Sequence, residues 1–293
     1  MASLKEIRAR IGSVTSTLKI TSAMKMVSAA KLHKAEERTL STVPYKNKLT
    51  EVLARYLDSI EDENYKVSLS VEREVKKVLL VPIASSSGLC GAFNSNISKL
   101  LKKKVIEHQE AGHSVIVMPV GKKIADSLKF TLRGLNVETD FSNINICEKP
   151  NYNVASQVAE AITEDFTNGK FDRVELLYNH FKNAGTQIPT EDQFLPLPKI
   201  EAKGNTNRLY FVEPDAKTFV ENLVPIVVKL MFYATLLDSS TAEFGARTTA
   251  MQIASDNAET LLGEITQLFN RLRQESITTD LIDVVGGAEA QRN

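Results

Sequence analysis

The amino-acid sequence predicts an α/β protein whose two ends are long helices, paired as an antiparallel coiled coil, and whose middle is a doubly wound α/β domain. Three observations carry this reading of the 293-residue chain. Apolar residues recur at three-four spacing at both ends, the period of one helix face. The middle alternates short apolar runs with helical patterns, the signature of crossover-connected parallel strands. The two ends also carry charge biases of opposite sign, which favours pairing with each other over self-pairing.

The N-terminal helix is expected over residues 3 to 58, roughly 80 Å at 1.5 Å per residue. Its stripe runs Leu4, Ile7, Ile11, Val14, Leu18, Thr21, and a second stripe of Ile20, Met24, Val27, Ala30 and Ala35 widens the apolar face. Helical spacing resumes at Leu49, Val52, Leu53 and Tyr56. Pro44 lacks an amide donor and crowds the preceding turn, so a kink or local break is expected there. At the other end, Glu213-Pro214-Asp215 reads as a helix start, with proline and acids in the first turn. The pattern then continues almost to Gly286-Gly287, with Ile253, Leu261, Leu262, Ile265, Leu268, Phe269 and Leu272 as one stripe. Lys5, Arg8, Arg10, Lys19, Lys25, Lys31, Lys34 and Arg38 make the first helix basic. Glu243, Asp256, Glu259, Glu264, Glu275, Asp280 and Asp283 make the last one acidic.

In the middle, Val75–Ala84 reads as a buried strand, 96–110 as a helix, Ser114–Val120 as a strand, and 121–130 as a helix. A helix over 151–167 and a strand over Arg173–Asn179 follow. That order implies a Rossmann-like parallel sheet with right-handed crossovers. Gln187–Ile200, with its prolines, and Arg208–Val212 read as edge strands. The organisation is therefore an N-terminal helix over 1–60, a linker over 61–74, the α/β domain over 75–212 and a C-terminal helix over 213–293.

Chemistry-bearing motifs are few. Gly88-Leu89-Cys90-Gly91 sits where the first strand turns toward a helix, the usual place of a phosphate loop. It lacks the third glycine of the dinucleotide fingerprint and the Gly-Lys-Ser/Thr end of a P-loop. Gly121-Lys122-Lys123 also follows a strand but has no glycine five residues earlier. Gly88 and Gly91 are thus read as a tight turn that needs glycine freedom. His33, His108, His113 and His180 show no ligand spacing, and Cys90 and Cys147 are too few for a disulfide framework. Glu36-Glu37, Glu191-Asp192 and Lys102-Lys103-Lys104 read as solvated. No catalytic, cofactor or metal residue is assigned. Net charge is zero, which gives no footprint for nucleic acid. The most apolar stretch, Leu223 to Leu237, is short of the twenty or so residues of a bilayer span and is broken by Pro225 and Lys229.

With those residues set out, a resemblance emerges. Leu4-Lys5-Glu6-Ile7-Arg8 through Thr21-Ser22-Ala23-Met24-Lys25-Met26, Gly88-Leu89-Cys90-Gly91-Ala92-Phe93-Asn94, Ala246-Arg247-Thr248-Thr249-Ala250-Met251, and Asn270-Arg271-Leu272-Arg273-Gln274-Glu275-Ser276 resemble the gamma subunits of F-type ATP synthases. The resemblance implies a non-catalytic central rotary shaft. It would thread a ring of three alpha and three beta subunits and couple proton-driven rotation of a membrane c-ring to ATP synthesis. The foot would bear delta and epsilon stalk subunits. The chain would be peripheral to the membrane, with no transmembrane helix and no cofactor of its own. Carried over by position, Met24, Lys25, Arg247, Arg273, Gln274 and Thr278 are implied contacts with the alpha/beta ring. One departure is visible: Ser85-Ser86-Ser87 stands where relatives commonly read Ser-Asp-Arg. The divergence of that charged loop favours a mitochondrial inner-membrane home, matrix side, with a bacterial plasma membrane, cytoplasmic side, as the alternative. Two other readings remain open: a nucleotide-binding α/β enzyme with helical oligomerisation arms, and a static coiled-coil adaptor.

Overall fold

The computed structural model describes residues 4–59, 68–71, 73–148, 150–198 and 215–291. The expected strand Arg208–Val212, the Glu213-Pro214 helix start and most of the 61–74 linker lie outside them. The elements are α1 (Leu4–Ser59), β1 (Lys77–Pro82), α2 (Phe93–Glu110), β2 (Ser114–Val117), α3 (Lys122–Thr131), β3 (Glu138–Thr139), α4 (Tyr152–Thr167), β4 (Arg173–Asn183), β5 (Thr186–Leu195) and α5 (Ala216–Ala290). They fall into two compact units, one of residues 1–28 with 248–293, the other of residues 29–247.

In the first unit, α1 and α5 lie antiparallel. The Arg8 guanidinium sits 5.7 Å from the Phe269 ring centre, while Ser255 donates to Thr21 Oγ1 at 2.9 Å. Along the part of α5 in this unit, Met251, Ser255, Ala258 and Ile265 are buried and Leu262, Phe269 and Leu272 half-buried, an unbroken four-three alternation. On α1 the alternation of Leu4, Ile7, Ile11, Val14, Leu18 and Thr21 continues through Lys25 to Ser28, which is buried. A 3.5-residue repeat keeps such a seam facing its partner. The two broader stripes expected from the sequence are corrected here. Ile20 (60% exposed) and Val27 (56%) on α1, and Ile253, Leu261 and Leu268 on α5, point outward. The polar Thr21, Lys25 and Ser28 hold the seam positions instead, because heptad spacing outranks residue type once the helices pair.

In the second unit, the sheet order is β3-β2-β1-β4-β5, parallel except for the antiparallel β4–β5 pair. β1 is covered on both faces, which is why it reads as a continuous apolar run. Val78 and Leu80 pack under Ile97, Leu101 and Val105 of α2 and Ile124 and Leu128 of α3. Leu79, Val81 and Ile83 face the opposite layer, where Ile162 and Phe166 of α4 meet Val224, Val227, Phe232 and Leu236 of α5 and Leu53 of α1. Phe166 and Phe232 are fully buried, each worth about 2–3 kcal/mol by area removed from water. These contacts explain why α1 runs through Pro44 without the expected break. Proline removes one hydrogen bond, but Leu49, Val52 and Leu53 just beyond it are held by the core. They also account for the apolar character of α5. By length and composition it could cross a bilayer, yet over half (56%) of its most apolar 18-residue window is buried inside the protein.

Two strands differ from expectation. β4 continues four residues past Asn179 and pairs with β5 as a long hairpin. Its far end rests on α5, where Asp238 accepts from His180 Nδ1 at 2.6 Å and from the Phe181 amide at 3.0 Å. Gly245 makes that approach possible, since a Cβ there would lie 3.0 Å from the Phe181 ring. β3 is a two-residue edge strand without an apolar run, so periodicity could not reveal it. Asp215, at the start of α5, accepts from the Thr218 amide and hydroxyl, both at 2.8 Å, as a helix cap does.

Candidate functional site

A doubly wound sheet opens a crevice at the carboxyl ends of the two strands between which the strand order reverses. Here those strands are β1 and β4. The turn after β1 fills that position. Ser85 is spent on internal bonds: its amide and hydroxyl both donate to Asn94 Oδ1, at 3.0 and 2.9 Å, with the hydroxyl also 2.6 Å from Ser87 O. Leu89 (φ 63°) and Gly91 (φ 59°) take left-handed backbone. Gly91 is therefore the glycine the turn requires. Gly88 has neither positive φ nor a tight neighbour, so the expectation that it also needs glycine freedom is not met. From β4, Asn179 Nδ2 donates to Phe93 O at 3.0 Å and seals the start of α2.

The crevice is closed from the other side by α5. Ala242 and Ala246 pack against Cys90 and Phe93. Arg247, 7% exposed, donates through Nη1 to Glu243 Oε1 at 2.7 Å and through Nη2 to Ser87 Oγ at 2.8 Å. Burial holds the Glu243 carboxyl above the usual carboxylate range, although Arg247 and Lys31 oppose that shift. The turn is thus met by the chain's own guanidinium, which donates to the Ser87 hydroxyl and carbonyl. The resemblance implied a ring contact for Arg247, and within the chain its guanidinium lies in this internal network. The Glu243–Arg247 spacing of four residues on a helix was the signal available beforehand.

The other implied contact residues lie in the first unit. Met24 and Lys25 are half-buried on α1. Arg273, Gln274 and Thr278 are exposed on one end of α5, where the Thr278 hydroxyl donates back to Gln274 O at 2.9 Å. Beside them Ile277, Leu281, Ile282, Val284 and Val285 are each 52–69% exposed. Large aliphatic side chains clustered in the open on one helix end mark an interaction surface.

Three groups read as scattered or solvated are in fact joined. His108 and His113 bring their Nδ1 atoms within 3.2 Å, and His108 Nε2 donates to Glu175 Oε2 at 3.1 Å. Glu191 pairs with Lys104, and Asp192 accepts from the Tyr178 hydroxyl at 2.7 Å. The separations of five to eighty-odd residues that join these groups carry no local pattern. Glu175 is 1% exposed and also meets Arg173 Nε at 2.7 Å. Burial raises its pKa, but the His108 hydrogen bond and the charges of His108, Arg173 and Lys104 outweigh this and bring it below the ordinary value. A depressed carboxylate contributes stability above its unfolded pKa of 4.5, lost as pH falls through the lower folded value. Glu175→Gln should therefore cost about 2 kcal/mol at pH 7. It should also flatten the acid limb of a melting-temperature series from pH 6 to pH 3.

Comparison with known proteins agrees with this architecture. A family model described as ATP synthase matches residues 3–291. The ATP synthase gamma chain of Parabacteroides distasonis is 44% identical over 289 residues, covering 98% of this chain and 99% of that one. The chain belongs to the ATP synthase gamma-chain family. The Bacteroides fragilis gamma chain is 41% identical over 296 residues, covering 99% of this chain and all of its own. Among solved structures, the central stalk and c-ring assembly of the Tetrahymena thermophila mitochondrial ATP synthase contains a chain 28% identical, with a TM-score of 0.56. It covers 80% of this chain and 99% of that one. A chain of the Euglena gracilis mitochondrial enzyme, 19% identical with a TM-score of 0.66 over 98% of this chain and 94% of its own, shares the fold.

Proposed function

We propose that this chain is the central rotary shaft of a proton-driven ATP synthase, without a catalytic site of its own. The observation that carries the reading is the end of α5. Its seam with α1 closes by Leu272 and Ser276, yet the helix continues to Ala290 with Ile277, Leu281, Ile282, Val284 and Val285 uncovered. An apolar helix end of that kind is built to turn inside a fitted sleeve. The alpha/beta hexamer supplies it, with Arg273, Gln274 and Thr278 as polar contacts at its rim and Met24 and Lys25 at a second level. Such contacts must differ little between rotational states, because an interaction much stronger at one angle would hold the rotor there. Residues 75–212 form the foot, between the helices of 1–60 and 213–293, and take the delta and epsilon stalk subunits and the membrane c-ring as partners. The bacterial relatives favour the cytoplasmic side of a plasma membrane over the mitochondrial home, with the chain peripheral to the bilayer.

Native mass spectrometry of the assembly purified through this chain tests the proposal. One copy together with three copies each of two P-loop subunits is expected. A free chain or a small homo-oligomer would overturn the reading in favour of an adaptor or an enzyme.

A further inference from the structure

We infer that Arg247 is a positioning residue that locks the turn after β1 to α5, so that torque passes between foot and shaft helix without slip. The inference deepens the shaft reading and rests on it. Two kinds of contact join α5 to this turn. The apolar one, Cys90 and Phe93 on Ala242 and Ala246, is non-directional: small side chains against a flat patch resist separation but fix no angle. Hydrogen bonds from a planar guanidinium do fix one, because its donors project in a rigid fork. Arg247 Nη2 lies 2.8 Å from Ser87 Oγ, 3.3 Å from Ser87 O and 3.5 Å from Gly88 O. The fork is itself held, since Nη1 bonds Glu243 Oε1 one helical turn back.

The turn is in its own right rigidly wired to the sheet. Ser85 ties Ser87 to Asn94 of α2, and the Lys123 amide at the start of α3 donates to Ser85 O at 3.1 Å. A force on α5 at Arg247 thus reaches α2 and α3 through one side chain and one turn. The serine at position 87 also gains a role. Its hydroxyl accepts from Arg247, where a cation at that position would repel the guanidinium.

The test is made in the whole ATP synthase, reading proton pumping per ATP hydrolysed beside the hydrolysis rate. Arg247→Met keeps length and removes the fork; pumping per ATP should fall about threefold while hydrolysis is retained. Arg247→Lys keeps charge without the fork and should recover only part. Ser87→Ala leaves the Glu243–Arg247 pair in place and should lower the ratio in the same direction, with Ser87→Thr restoring it. The Arg247→Met/Ser87→Ala double variant should be no worse than Arg247→Met alone, as groups acting through one contact are non-additive. An unchanged ratio in Ser87→Ala, or additive losses in the double variant, would overturn the inference, including where Arg247→Met fails to assemble. Absence of the unsubstituted chain from any such complex would defeat the shaft reading instead, a different result on a different sample.

Discussion

Deleting residues 277–291 should leave this chain folded and uncouple the machine it serves. ATP synthesis should fall about tenfold or more, equivalent to roughly 1.4 kcal/mol or more at the affected step. Melting of the isolated chain should move by less than about 2 °C. The asymmetry follows from where those residues are. Every one from Ile277 to Ala288 is exposed, so deletion removes little buried apolar area from the chain itself. A Leu, Ile or Val side chain fully buried against a partner contributes about 1.5–3 kcal/mol, and five of them lie uncovered here. Ile282→Asp and Val285→Asp make a sharper version, since each would put a carboxylate into an apolar sleeve at a cost of several kcal/mol. Coupled synthesis at the normal rate in the deleted chain would show that the exposed end of α5 has no working partner. Equal loss of folding and synthesis would show instead that this end supports the chain's own stability.

The terminal helices and the parallel sheet were legible because they rest on period. Three-four spacing located α1 and α5, and the run of Val78 to Val81 located a strand covered on two faces. Which of two adjacent stripes becomes the seam was not legible. Ile20 and Val27 are more apolar than Thr21 and Ser28, yet a paired helix can keep only one heptad register, and Leu4 to Leu18 had already chosen it. The long β4–β5 hairpin was half legible, as its outer part packs on Asp238 and Gly245 of α5, far off in sequence. At the candidate site, Arg247 was named from resemblance, but its partner Ser87 lies 160 residues away and no local pattern joins them. The same holds for Glu175 and His108, 67 residues apart, although Arg173, two residues back on the same face of β4, was within local reach. Periodicity reports what faces a core; polar networks form where distant turns meet, and spacing along the chain says nothing of that.

Gly121→Ala should be the most destructive single substitution in the foot, costing about 3–5 kcal/mol. Gly121 lies between β2 and α3, and its backbone is at φ 114°, a conformation that L side chains rarely adopt. That strain alone costs on the order of 1–3 kcal/mol. Steric overlap costs more. A Cβ would stand 2.2 Å from the Ala84 carbonyl oxygen and 2.8 Å from its carbon, both main-chain atoms that no side-chain rotation can move. Relief requires the end of β1 to part from the start of α3, breaking the Lys123-to-Ser85 and Ala84-to-Val120 hydrogen bonds. At roughly 2–4 °C per kcal/mol, the melting temperature should drop by about 10 °C. Gly134→Ala separates strain from overlap, because φ there is also positive, 84°, but nothing lies within 4 Å of the added carbon. It should cost only about 1–2 kcal/mol. Equal losses at the two positions would mean that backbone strain alone explains Gly121. A clear excess at Gly121 would mean that the close approach is what the glycine provides, and with it the placement of Ser85 and Ser87 against α5.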